Sequence, residues 1–242
     1  MLTEEGHHMF VGRTGVERTV QRTCEVMKAA AISDPGAIGA VRALGVIDLP
    51  TIQKKINFHY SVTLDLFGSE ISTNAANAFN ASLKGRFRET TIDDDHRLHD
   101  AVYPVLQYLD GRFEIADAPA LSAINARLCD AYIADCESVL KMWNRAIEQS
   151  GIDYRLSLPH RAFHRAVGEF AGLHVSADGK VMSGNEWNTR QGEWLPSDSD
   201  LEYILSLMKP VRTPGEFAGW IAPPKIGIDG KAGDFEYVKL AA

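Results

Sequence analysis

From Leu2 to about Ala31 the apolar residues Leu2, Met9, Val16, Val20, Cys24 and Met27 recur at helical spacing, with Glu5 and Gly12 on the same stripe. This reads as one long helix with an inward face. A carboxylate on such a face requires a partner, because an unpaired charge is too costly to bury. The spacing supplies one. In Glu4-Glu5-Gly6-His7-His8 the pattern Glu-x-x-His occurs twice, as Glu4 with His7 and as Glu5 with His8. Residues three apart on a helix share a face, so either pair can offer an oxygen and a nitrogen to one metal ion. At most one register faces a given metal, and spacing does not choose between them. The competing reading is a solvated helix start, acidic and then basic.

The 242 residues are enough for one or two domains with a real core. Hydrophobic residues make up 45% and charged residues 24%, which fits a globular chain. Cys24, Cys129 and Cys136 form no Cys-x-x-Cys and no even set, which argues for a reducing compartment without structural disulfides. No uninterrupted apolar stretch reaches membrane-spanning length and no signal-peptide pattern opens the chain, so the expectation is a cytoplasmic protein with no membrane partner. A net charge of −7 argues against general affinity for nucleic acid. Any polyanionic ligand therefore needs a local basic patch, and Lys84, Arg86 and Arg88 are the first candidates for phosphate contacts.

Asp34-Pro35-Gly36 is expected to end the first helix. A second should start with Asp48 as N-cap and Pro50 in its first turn, and run through Ile52, Ile56, Val62 and Phe67. Its apolar residues lie on more than one face, which predicts a buried helix with His59 as a hydrogen-bonded core residue. Asp93-x-x-His96 imitates a ligand pair, but adjacent aspartates ahead of a helix are more simply caps. Pro104–Leu109, Asp110-Gly111 and Arg112–Ile115 read as a hairpin with a type I′ turn. A third helix follows from about Pro119 to Gln149, with Asp135 the one acidic residue on its apolar stripe and Gly151 as C-cap. His160 and His164 have a metal-like spacing, yet Arg161 and Arg165 beside them disfavour a cation. A short amphipathic helix with structural histidines is the expectation there. Residues 173–182 read as a second hairpin, and Ser183-x-x-Glu186 and Ser197-x-x-Asp200 as helix starts. From Pro210 a Pro- and Gly-rich tail should wrap over a helical body.

Carboxylates with imidazoles suit iron, and in ferritin-like bundles an inward-facing Glu-x-x-His from each of two helices helps bind two irons. The text around the pair is more specific. Met1–Gly12, Gln21–Met27, Gly45–Gln53, Asn57–Thr63, Pro159–His164, Trp220-Ile221-Ala222-Pro223-Pro224 and Phe235-Glu236-Tyr237-Val238 resemble the oxygenase component of benzoyl-CoA 2,3-epoxidase. The likeness covers nearly the whole chain and is weaker at about residues 86 to 150. It implies a mainly α fold, part of a ferritin-like di-iron bundle with two β-hairpins and an irregular C-terminal tail. It also implies a division into residues 1–170, half of the bundle with an inserted hairpin, and 171–242, an extension packed on the same body. By resemblance the metal ligands are Glu5 and His8, in the later register. The implied reaction is epoxidation of benzoyl-CoA with O₂ in aerobic benzoate degradation, with electrons from an NADPH-dependent flavin and iron–sulfur reductase. The family's chains extend well beyond this one at the N-terminus, where the other ligands lie. The expectation is therefore a C-terminal half that is incomplete and inactive alone; the alternative is a non-catalytic remnant or accessory helical protein of the same fold.

Overall fold

Helix α1 spans Leu2–Ala29 without a break, in a computed structural model that describes residues 2–74, 77, 101–212 and 217–224. It ends earlier than Asp34-Pro35-Gly36. Ala31 enters the left-handed region (φ 56°), so that the Ile32 N–H reaches the Met27 carbonyl at 2.9 Å and the Ala31 N–H reaches that of Lys28. These two bonds satisfy carbonyls that the last turn would otherwise leave open. The elements that follow are α2 (Ile38–Arg42), α3 (Leu49–Asp65), strands β1 (Val102–Leu109) and β2 (Arg112–Pro119), α4 (Ile124–Ser150), α5 (Gly184–Arg190), a 3₁₀ turn (Gln191–Glu193) and α6 (Asp198–Leu207). The protein is mainly α, as expected, with a two-stranded antiparallel sheet. Among the described residues no helix is long and apolar enough to cross a membrane.

The chain divides into two units, and α3 and α4 each contribute to both. The first comprises residues 1–56, 138–157 and 195–242. Its buried residues include Val20, Cys24 and Met27 of α1, Leu49 and Ile52 of α3, and Leu140 and Ile147 of α4. Asp48 caps α3, accepting the Thr51 N–H at 2.8 Å on Oδ1, with Pro50 in the first turn as expected. Its other oxygen accepts from Arg42 Nε at 2.8 Å. Arg42 also bonds Thr51 and the buried Asp200, and lies 4.7 Å from the Tyr203 ring. One guanidinium thus ties α2 to the starts of α3 and α6. Both predicted helix starts form, and each is closed by a capping box, Ser183 with Glu186 and Ser197 with Asp200. Residues 217–224 lie on α1 through Arg18 and Arg22, which is the expected wrapped tail for the part described.

The second unit comprises residues 57–137 and 158–194. Its hairpin pairs Val102 with Pro119 through to Leu109 with Arg112. Asp110 (φ 49°) and Gly111 (φ 85°) make the primed turn that Asp-Gly favours. The hairpin's Val105 and Ala118 pack with Ala123 and Ala126. Its Leu106, Tyr108 and Phe113 cover Ala162, Phe170 and Val175. A third cluster joins Tyr60, Leu64 and Cys129. The second predicted hairpin reduces to one bridge, Val175 with Val181.

Several expectations need correction. Helix α4 begins at Ile124, because Pro119 is still paired in β2. Its buried face follows Cys129, Leu140, Asn144 and Ile147, and Asp135 is exposed. Helix α3 is not buried all round: Val62 is 44% exposed, His59 faces out rather than into a core, and Leu66 just past the helix end is 82% exposed. Residues 161–164 form turns instead of a helix, with His164 in the left-handed region (φ 50°).

Candidate metal-ligand face

The first turns of α1 hold the predicted donors. A continuous helix places Glu4 with His7, and Glu5 with His8, one turn apart on its surface. Glu4, His7 and His8 are exposed, as is every described side chain from Glu4 to Arg13. The Glu5 side chain lies outside the described part of the structure, and so do Lys84, Arg86, Arg88, Asp93 and His96.

The inward stripe read from sequence exists only from Thr19 onward, where Val20, Cys24 and Met27 are buried. Ahead of it Met9 is 61% and Phe10 53% exposed, so the predicted stripe is uncovered at Met9. The change coincides with a tether: Trp143 Nε1 donates to the Arg13 carbonyl at 3.0 Å. From Glu4 to Arg13, about 15 Å of helix at 1.5 Å per residue, the described side chains therefore present the Glu4 carboxylate, two imidazoles and apolar groups together.

The donor set suits iron as one ligand pair. A hard carboxylate and a borderline imidazole on one helix face are what a di-iron site of the ferritin-like kind draws from each of two of its helices. They do not amount to a complete coordination sphere. Among the described residues no group of three or more His, Cys, Asp and Glu is placed to hold a metal ion.

Other polar features have visible structural work. Arg165, nearly fully buried, pairs with Asp65 at 2.7 Å and Glu70 at 3.2 Å, and Arg161 pairs with Asp130 at 2.7 Å. Sequence reading gave Arg161 and Arg165 the role of repelling a metal. Their carboxylate partners sit 31 to 100 residues away, so no local pattern announces them. A groove of about 360 Å³ between α1 and α4 is lined by Glu17, Gln21, Cys24, Lys28, Arg145 and Gln149. Acids and cations share its rim, and burial pushes the Cys24 thiol up, which makes it a poor nucleophile.

Against known proteins, the chain is 50% identical over 240 residues, 99% of its length, to benzoyl-CoA oxygenase component B of Aromatoleum evansii. Along its whole length the chain is thus similar to a benzoyl-CoA oxygenase component. It spans about half the length of the curated relative it matches. No protein-family model matches it.

Proposed function

We propose that this chain contributes to the di-iron oxygenase component that epoxidises benzoyl-CoA at the 2,3 position in aerobic benzoate degradation. In this reading Glu5 and His8 are one ligand pair of a ferritin-like bundle in the cytoplasm, and the remaining ligands lie on sequence outside this chain. The Glu5 carboxylate supplies a hard anionic ligand, and His8 binds through one ring nitrogen. Helical spacing keeps the two on one face while Met9, Phe10 and Val11 offer an apolar surround that keeps water away once covered. Iron, when bound, supplies the chemistry that activates O₂, with electrons from a separate NADPH-dependent flavin and iron–sulfur reductase. The observation that carries the reading is the 50% identity sustained across 99% of the chain.

The test is isotope incorporation. The chain is produced alone and together with the other half of its relative, loaded with ferrous iron, and supplied with reductase, NADPH, benzoyl-CoA and ¹⁸O₂. One ¹⁸O atom should enter the thioester's ring in the combined preparation, and none with the chain alone. An iron-loaded, reducible combination that incorporates no oxygen would overturn the proposal and favour a non-catalytic accessory protein of the same fold.

A further inference from the structure

Residues 158–172 form an irregular segment held against the end of α3 by a small set of charges. Asp65 accepts from Arg165 Nε at 2.7 Å and from the N–H groups of Ala166 and Val167 at 3.1 and 3.3 Å. Glu70 accepts from Arg165 Nη1 at 3.2 Å and from the Glu169 N–H at 2.9 Å. Gly168, at φ 88°, passes so close that a Cβ there would lie 2.3 Å from Glu70 Oε2.

His164 sits at the head of this arrangement in a left-handed backbone conformation that non-glycine residues adopt rarely. Its ring lies 18° from the plane of Trp187 at 6.1 Å, with Phe163 at 5.9 Å and Phe58 at 6.3 Å. Its Nδ1 is buried and has no hydrogen-bond partner among the described residues. We propose that His164 is an acid-released latch: its neutral imidazole, stacked on Trp187, keeps residues 158–172 closed on α3, and protonation frees them.

The reason lies in what meets the added proton. A proton on Nδ1 creates a buried cationic N–H with no acceptor, among three aromatic rings. Trp187 offers little compensation at 6.1 Å, the edge of the cation–π range. His174, which also stacks on Trp187, brings no negative charge. Arg161 and Arg165 on the same segment are cations already paired with Asp130, Asp65 and Glu70. Asp65, reaching in from α3, is the acid that favours the charged ring, but its oxygens already accept from Arg165, Ala166 and Val167. Burial outweighs Asp65 and holds the ring's pKa below the ordinary 6.5. The open segment takes the proton more readily, so closure is full above pH 6.5 and is lost as the pH falls through the lowered value.

Amide hydrogen exchange of the full chain from pH 7.5 to 5.0, corrected for intrinsic rates, tests this. Protection of residues 158–172 should fall by about tenfold, while peptides from α4 hold steady. In His164→Asn, which tolerates left-handed backbone and does not titrate, the fall should vanish. It should persist in His160→Gln and His174→Gln. A flat wild-type profile, a fall shared by α4, or a fall retained in His164→Asn would each overturn the latch. If His164→Asn does not fold, an NMR titration of the wild-type ring decides: a midpoint below 6.5 supports the latch and one at or above 6.5 overturns it.

Discussion

Arg18 and Ala222 bind each other twice: Arg18 Nε donates to the Ala222 carbonyl at 2.7 Å, and the Ala222 N–H donates to the Arg18 carbonyl at 3.1 Å. The two residues are 204 positions apart. One turn further along α1, Arg22 Nε donates to the Gly219 carbonyl at 2.9 Å. Ala222 is completely buried, so its carbonyl has no solvent to fall back on. The Trp-Ile-Ala-Pro-Pro stretch is thus held to the same helix that carries Glu5 and His8, one side of the carbonyl bond being a charged donor.

Arg18→Ala should therefore destabilise the protein by about 1.5–3 kcal/mol, the range for a hydrogen bond with one charged partner. Arg22→Ala should cost less than about 1 kcal/mol, because that side chain is 37% exposed and water replaces the bond. Urea unfolding of both variants measures the difference. Equal losses would show that the tail docks by apolar contact rather than through these carbonyls.

Asp200 makes stability depend on acid. Burial by itself raises its pKa, but the Ser197 N–H and hydroxyl, Arg42 and Lys54 outweigh that and hold it at about 2. A carboxyl depressed in the folded state stabilises above its unfolded pKa, and that contribution is lost as the pH drops through the folded value. Between pH 4 and pH 2 the urea midpoint should fall by the equivalent of about 2 kcal/mol from this group. In Asp200→Asn this part of the fall should be missing, which repeated urea titrations at stepped pH would reveal.

Two glycines at nearly the same φ separate backbone strain from steric closure. Gly172 (φ 82°) faces open space, whereas a Cβ on Gly168 (φ 88°) would press into the buried Glu70 carboxylate. Gly172→Ala should cost about 1 kcal/mol, for the left-handed conformation alone. Gly168→Ala should cost about 3 kcal/mol or more, since it also displaces a charge paired with Arg165. Thermal or urea unfolding of the pair checks the order; similar values would mean that Glu70 moves aside freely.

The ligand register is open to direct measurement in the combined preparation proposed above. Glu5→Ala or His8→Ala should lower bound iron and abolish ¹⁸O incorporation, while Glu4→Ala and His7→Ala leave much of both. Iron content by elemental analysis reads this independently of turnover. Equal losses in all four variants would place the ligands in neither register alone.

Sequence alone settled the features whose contacts span three or four residues. Ser183 with Glu186, Ser197 with Asp200, Asp48 with the Thr51 N–H, the Asp110-Gly111 turn and the Gly151 helix end all lie where local spacing puts them. Such bonds close within one turn of chain, so the residues that make them are neighbours in the text. The Glu-x-x-His spacing was legible for the same reason. Its register was not, since both pairs repeat at the same interval and only what covers the helix distinguishes them. The tertiary structure decided which surfaces are covered: the α1 stripe is buried from Thr19 onward and bare at Met9, and α3 leaves Val62 exposed. It also decided the long-range pairs, Arg165 with Asp65 and Arg18 with Ala222, and the left-handed turn at His164. Amphipathic periodicity says which face of a helix prefers cover, whereas cover itself comes from chain 100 or 200 residues away.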